Sequence, residues 1–408
     1  MLSVLQLCTI GEPLFPNMKT LDVWAAGGWI SFIPLFLSQR TTVISIGFDS
    51  NPPKAMVASM ITTFPKLCPN LQEISLYSLP RDPMVTAAVS GMVLATNRNT
   101  LQCFRAGSPL TEEACEVVYK LPDLRLLSVV VDEDSSLPSV ALPNLTSLII
   151  TYDHGNDWLQ VFRGATFEKL QAVTFISNSE QIEGFLEAFE RAALAASAQN
   201  ALSQFSLYTS HSWNPNYSSL LRFTQLFRLD IDSSCDDGCS STVDDDIVTN
   251  LARAMPKLQI LRLGDTPCRE IPIGVTAKGL VALADHCPDL HHLCIHIQVA
   301  SLSSPPAMPR VTPDAGPAAL RRDCALKDLE VGEIPIPEES VLTVALTLAS
   351  IFPRIELINC VDGDWEKVLG AIHVSRRIIN YTSEQQPLSI PRNNVTDTSP
   401  GAVVEGGS

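Results

Sequence analysis

"CPDLHHLCIHI", Cys287 to Ile297, crowds three histidines and two cysteines into eleven residues of a chain with seven histidines in all. Histidine, cysteine and carboxylate are the usual zinc ligands, so the composition invites a metal reading. The same residues also scan as Leu290-x-x-Leu293-x-Ile295, led by Pro288-Asp289. Apolar and polar residues alternate in that frame, as they do in a half-buried strand. The rest of the chain decides between the two readings.

The frame recurs, and periods of this length mark repeat architectures. It returns as Pro69-Asn-Leu71 through Leu76, Pro122-Asp-Leu124 through Val129, and Pro143-Asn-Leu145 through Ile150. It continues at Leu170 to Phe175, Leu226 to Ile231 and Leu258 to Leu263. Weaker copies start at Met18, Thr41, Leu101, Leu202, Leu326 and Ile355, and Leu2 to Leu7 also fits. Frames are 21 to 36 residues apart, and about a dozen in phase exceed what chance supplies.

Between frames the period changes to that of a helix. Ile182, Phe185, Leu186 and Phe189 share one helical face, as do Ile247, Leu251 and Met255, and Leu280, Leu283, Ala284 and Cys287. Thr111 before Glu112-Glu113, Thr242 with Asp245 three residues on, and Thr276 read as helix starts. One strand and one helix per repeat predict an α/β fold, a right-handed solenoid with parallel strands on the concave face and helices on the convex face. No single repeat can bury its apolar side alone.

These frames resemble leucine-rich repeats, which implies a ribonuclease-inhibitor-like horseshoe. The Pro-Asn/Asp-Leu lead after a helix ending in Cys or Phe is similar to the irregular repeats of F-box leucine-rich-repeat proteins. "GVTAKGLVALADHCPDLHHLCI", Gly274 to Ile295, carries the likeness best. The loose spacing and the Phe-Pro leads are similar to the F-box-like families of mushroom-forming fungi. The resemblance covers residues 1 to 362 and implies a substrate-recognition region of an SCF-type ubiquitin ligase, in the cytoplasm, the nucleus or both. The family's F-box, a helical segment starting L-P-x-E, is absent from this sequence, which starts inside a frame at Leu2. An adaptor is therefore expected only if an F-box lies upstream, and an open first repeat is expected to self-associate.

Composition narrows the partners. Net charge is −16 and the sequence pI is near 4.8. Nucleic acid needs a basic surface to displace counterions, and anionic membranes need the same, so neither is expected. No stretch reaches the roughly 18 to 20 apolar residues that span a bilayer. The eleven cysteines are scattered inside apolar frames without paired spacing, which suits reduced thiols in an intracellular protein. Ala300 to Ala318 is rich in Pro, Ser and Ala and reads as a flexible insert in one solenoid over residues 1–384, with residues 385–408 a disordered tail.

Chemistry is sparse. No phosphate-binding glycine loop, nucleophile elbow or H-E-x-x-H is present, so no enzyme, cofactor or resident metal is expected. Phase places His292, Cys294 and His296 together on the concave side of one strand, where solvated imidazoles are a simpler account than zinc. Asp230 to Asp246 holds seven aspartates, and Asp244 to Asp246 fall where carboxylates meet a helix N-terminus. The remaining candidates are the outward strand positions: Asp22, Trp24, Glu73, Tyr77, Arg105, Gln204, Tyr208, Arg228, Asp230, Asp232, Arg262, His292, His296, Asp328 and Glu330. Aromatics interleaved with both charges suit a protein partner.

Overall fold

The structure, a computed structural model, describes residues 13–49, 52–96, 100–131, 142–152, 167–177, 184–210, 215–233, 243–264, 274–303, 324–331, 335–360 and 364–384. Thirteen strands lie in chain order: Thr20–Ala25 (β1), Val43–Phe48 (β2), Glu73–Tyr77 (β3), Cys103–Pro109 (β4), Leu126–Val131 (β5), Ser147–Tyr152 (β6) and Ala172–Ser177 (β7). Then follow Gln204–Thr209 (β8), Arg228–Ser233 (β9), Ile260–Leu263 (β10), His292–Ile295 (β11), Asp328–Glu330 (β12) and Leu357–Asn359 (β13). They form one parallel sheet in which every strand pairs with its sequence neighbours. The sheet is open, lined by helices on its other side, and the chain is an α/β solenoid.

Each strand begins two residues after the first apolar residue of its frame. Leu290 is followed by β11 at His292, Leu226 by β9 at Arg228, and the weak frame at Ile355 by β13 at Leu357. The offset follows from the ladder. At each repeat entrance one carbonyl accepts two successive N–H groups of the next repeat. Gln72 O takes Gln102 N at 2.7 Å and Cys103 N at 3.0 Å, and Gln102 O takes Arg125 N at 2.8 Å and Leu126 N at 3.1 Å. Strand pairing thus starts at the same frame position every time, whatever the length of the intervening helix.

The apolar frame positions build the core. Leu290, Leu293 and Ile295 are buried, and so are Leu226, Leu229 and Ile231, and Leu258, Leu261 and Leu263. Fully burying such a side chain stabilises by about 1.5–3 kcal/mol, so a dozen repeats make a large total from small parts. The helices supply the other wall. Phe185–Ala195 buries Phe185, Leu186 and Phe189, and the Phe189 ring packs on Phe205 with centroids 4.8 Å apart.

Helix starts follow the expected chemistry with one correction. Thr111 and Thr276 accept from Ala114 N and Lys278 N. The cap of helix Asp245–Ala254 is Asp244, which accepts from Ile247 N at 2.8 Å, and the expected Thr242 lies outside the described residues. A carboxylate there also meets the positive end of the helix dipole. Asp245 instead caps the following helix, Ala277–His286, its Oδ1 accepting from Thr276 N at 2.8 Å and Gly279 N at 3.0 Å.

Seven cysteines are described, all free thiols and six of them buried. Cys287 closes its helix and donates toward Ala252 O and Met255 O of the preceding repeat, at 3.7 and 3.6 Å. Burial pushes its thiol up to about 12 and that of Cys68 up to about 11. Such thiols are packing groups, poor as nucleophiles or metal ligands. The expected insert lies mostly outside the described residues, though at its edge Val299–Leu302 forms a helical turn. The expected tail, 385–408, lies wholly outside them. No described helix is long and apolar enough to cross a membrane.

Candidate functional site

Strand registration turns the repeat into rows. One row across the sheet reads Gln204, Arg228, Ile260, His292, Asp328 and Leu357. The next, two residues along, reads Ser206, Asp230, Arg262, Cys294, Glu330 and Asn359. Side chains two apart on a strand point the same way, so both rows share the open, concave face. Three zones follow along that face.

The first zone is aromatic and acidic. Trp24, Gly47 and Tyr77 are one row across β1 to β3. Trp24 is 65% exposed and Tyr77 40%. The Trp24 indole Nε1 donates to Asp49 Oδ1 at 3.0 Å, Ser45 Oγ donates to Asp22 Oδ1 at 2.9 Å, and Arg105 Nη1 donates to the Tyr77 hydroxyl at 3.1 Å. Glu73 is exposed beside them on β3. The second zone, β5 to β7, presents Leu126, Ser128, Ser147, Ile149, Thr174 and Ile176, and carries no charge on these strands.

The third zone is a ladder of charges. Asp230 is 1% exposed although it points to the open face, because its neighbours close over it. Its Oδ2 accepts from the Tyr208 hydroxyl at 2.9 Å and Arg228 Nη2 at 2.8 Å, and Arg262 Nε stands 3.8 Å from Oδ1. Burial first, and the Asp230 carboxylate second, push the Tyr208 phenol above its usual value. Arg262 Nη2 continues to Glu330 Oε2 at 3.4 Å. His292 Nδ1 lies 3.0 Å from Asp328 Oδ2, and Asn359 Nδ2 donates to Asp328 Oδ1 at 3.1 Å. Six strands are thereby tied by side chains as well as by backbone.

The opening stretch resolves by its neighbours. His292, Cys294 and His296 do not form one patch. Cys294 is buried and its thiol points to Gly264 O at 3.3 Å. His296 lies beyond β11, against Gly274, lining a cleft of about 470 Å³ with Gln298, Ser303 and Pro337. Burial holds its imidazole below the ordinary value. His292 is only 17% exposed and turns instead to β12. Of the two imidazoles expected to face solvent, both are only partly exposed, His292 turned to Asp328 on β12 and His296 set beside Gly274. His292 and Arg262 both stand close to Glu330, at 3.9 and 3.4 Å.

His292, Asp328 and Glu330 bring one ligand atom each within 4.8 Å of one another, close enough to ligate a divalent ion. Each donor already has a protein partner, however. Glu330 faces Arg262, Asp328 holds Asn359, and the imidazole bridges both carboxylates, at 3.0 and 3.9 Å. A metal would have to displace an arginine from its own ligand. Charge pairing accounts for the cluster.

Sequence reasoning omitted Gly47, Asp49 and Asn359. Gly47 and Asn359 occupy outward frame positions and could have been found by phase. Asp49 could not, since it acts just past the end of β2. No protein-family model matches the chain, and no curated protein matches it.

Proposed function

We propose that the chain is a non-catalytic protein-binding solenoid, a leucine-rich-repeat array whose concave face receives a protein partner. The observation that supports it is the tied ladder from Tyr208 to Asn359. Its side chains are held by one another before any partner arrives, so little ordering entropy is left to lose on binding. The face also offers Trp, Tyr and Arg, the residues that most often anchor protein interfaces. By resemblance of its repeats, the chain would serve as the substrate-recognition region of an F-box receptor of an SCF-type ubiquitin ligase. A stand-alone scaffold without a ligase is the second reading. Free buried thiols suit work in the cytoplasm or nucleus.

The test installs a photo-crosslinking residue at Ile176 on the open face or at Leu342 on the helical side, both solvent-exposed. Partners captured at Ile176 and lost on Arg262→Glu support the reading. Capture confined to Leu342 overturns it. Co-purification of an SCF adaptor with the full gene product separates receptor from scaffold.

A further inference from the structure

We infer that the Trp24–Gly47–Tyr77 row is a docking platform for an arginine-bearing segment of a partner protein. The inference rests on the protein-binding reading above and names the chemistry that the face selects.

Among the described residues Trp24 is the most exposed large apolar side chain, yet it is fixed. Its indole N–H is held by Asp49 at 3.0 Å, and its six-membered ring lies across Gly47. A Cβ on residue 47 would come within 2.1 Å of Trp24 Cε3 and 2.3 Å of Cζ3, so only glycine lets the ring lie there. One ring face is thus seated on backbone and the other is open to solvent. Tyr77 stands one strand further in the same row. Strands are about 4.8 Å apart, so Trp24 and Tyr77 sit roughly 10 Å apart across the row.

The surrounding charge selects the occupant. Asp22 and Glu73 face the same side on β1 and β3, and Asp49 closes the end of β2. Against these three carboxylates stands one cation on β1 to β4, Arg105, which is already engaged with the Tyr77 hydroxyl. An aromatic face ringed by carboxylates attracts a cation through the ring quadrupole and through charge together. Arginine suits it better than lysine, because a planar guanidinium stacks on an indole while its edge donates to carboxylates. An apolar or acidic segment would leave Asp22 and Glu73 without compensation.

The probe is a fluorescein-labelled peptide with four arginines spaced by Gly-Ser, beside versions carrying lysine or glutamate, read by anisotropy. The arginine peptide should bind the folded chain, the lysine peptide more weakly, and the glutamate peptide not at all. Gly47→Ala, which evicts the ring without removing it, and Trp24→Ala should each weaken binding at least tenfold. Asp328→Asn/Glu330→Gln, at the far end of the face, should leave it within twofold. Circular dichroism and the thermal midpoint of Gly47→Ala confirm that the fold is retained, since the nearest atoms that a Cβ there would meet all belong to the exposed Trp24 side chain. Equal binding of the glutamate peptide, no binding of the arginine peptide, or insensitivity to Gly47→Ala and Trp24→Ala overturns the inference. If binding is instead lost only in the Asp328/Glu330 variant, the platform is wrong while the concave-face reading stands. Crosslinking confined to Leu342 is the separate result that removes that reading.

Discussion

Replacing Asp230 by asparagine keeps the shape of the side chain and removes its charge from between Arg228, Arg262 and Tyr208. Stripping one partner from a fully buried ion pair costs about 3–5 kcal/mol, because the survivor stays desolvated. Here the survivors are better placed. The Arg228 side chain is 35% exposed, and Arg262 is 26% exposed and keeps Glu330 at 3.4 Å. The expected cost is therefore about 2 kcal/mol, below the buried range. The measurement is urea unfolding followed by circular dichroism, with hydrogen exchange at β9 as a local readout, since solenoid repeats couple mainly to their neighbours. A cycle with Arg228→Met and Asp230→Leu isolates the pair. The double variant should be more stable than the sum of its singles by at least about 1 kcal/mol. A loss under about 0.5 kcal/mol for Asp230→Asn, together with strict additivity in the cycle, would refute the claim that the ladder is an energetic unit.

Three further outcomes are expected. Leu229→Ala or Leu293→Ala, each at a fully buried inward position, should cost about 2–5 kcal/mol by chemical denaturation, and near-neutral values would contradict the core assignment. Burial holds His296 below its ordinary value of 6.5, so the unfolded chain binds its proton first as pH falls. The contribution of neutral His296 is whole above pH 6.5 and declines as pH drops through that value; the thermal midpoint should fall accordingly, and His296→Gln should flatten the change. Stoichiometric zinc should leave the midpoint unchanged. A zinc-dependent rise abolished by His292→Ala would show that the His292, Asp328 and Glu330 cluster ligates metal after all.

The amino-acid sequence by itself determined the repeat, the strand phase and the core. These depend on which residues must leave water and at what period, and that is written along the chain. Even the weak frames at Met18, Thr41 and Ile355 became strands β1, β2 and β13 at the shared offset. The outward rows were legible for the same reason, down to Trp24, Arg262 and Glu330. Only the tertiary structure decided what those outward residues touch. Asp230 is buried on an exposed face because Arg228, Arg262 and Tyr208 fold over it. His292 answers to Asp328, 36 residues away, rather than to Cys294 on its own strand or His296 just beyond it. Trp24 lies flat because residue 47 lacks a Cβ. Periodicity fixes the direction of a side chain, but its partners lie on neighbouring strands, and charge pairing across roughly 5 Å is a property of the assembled sheet.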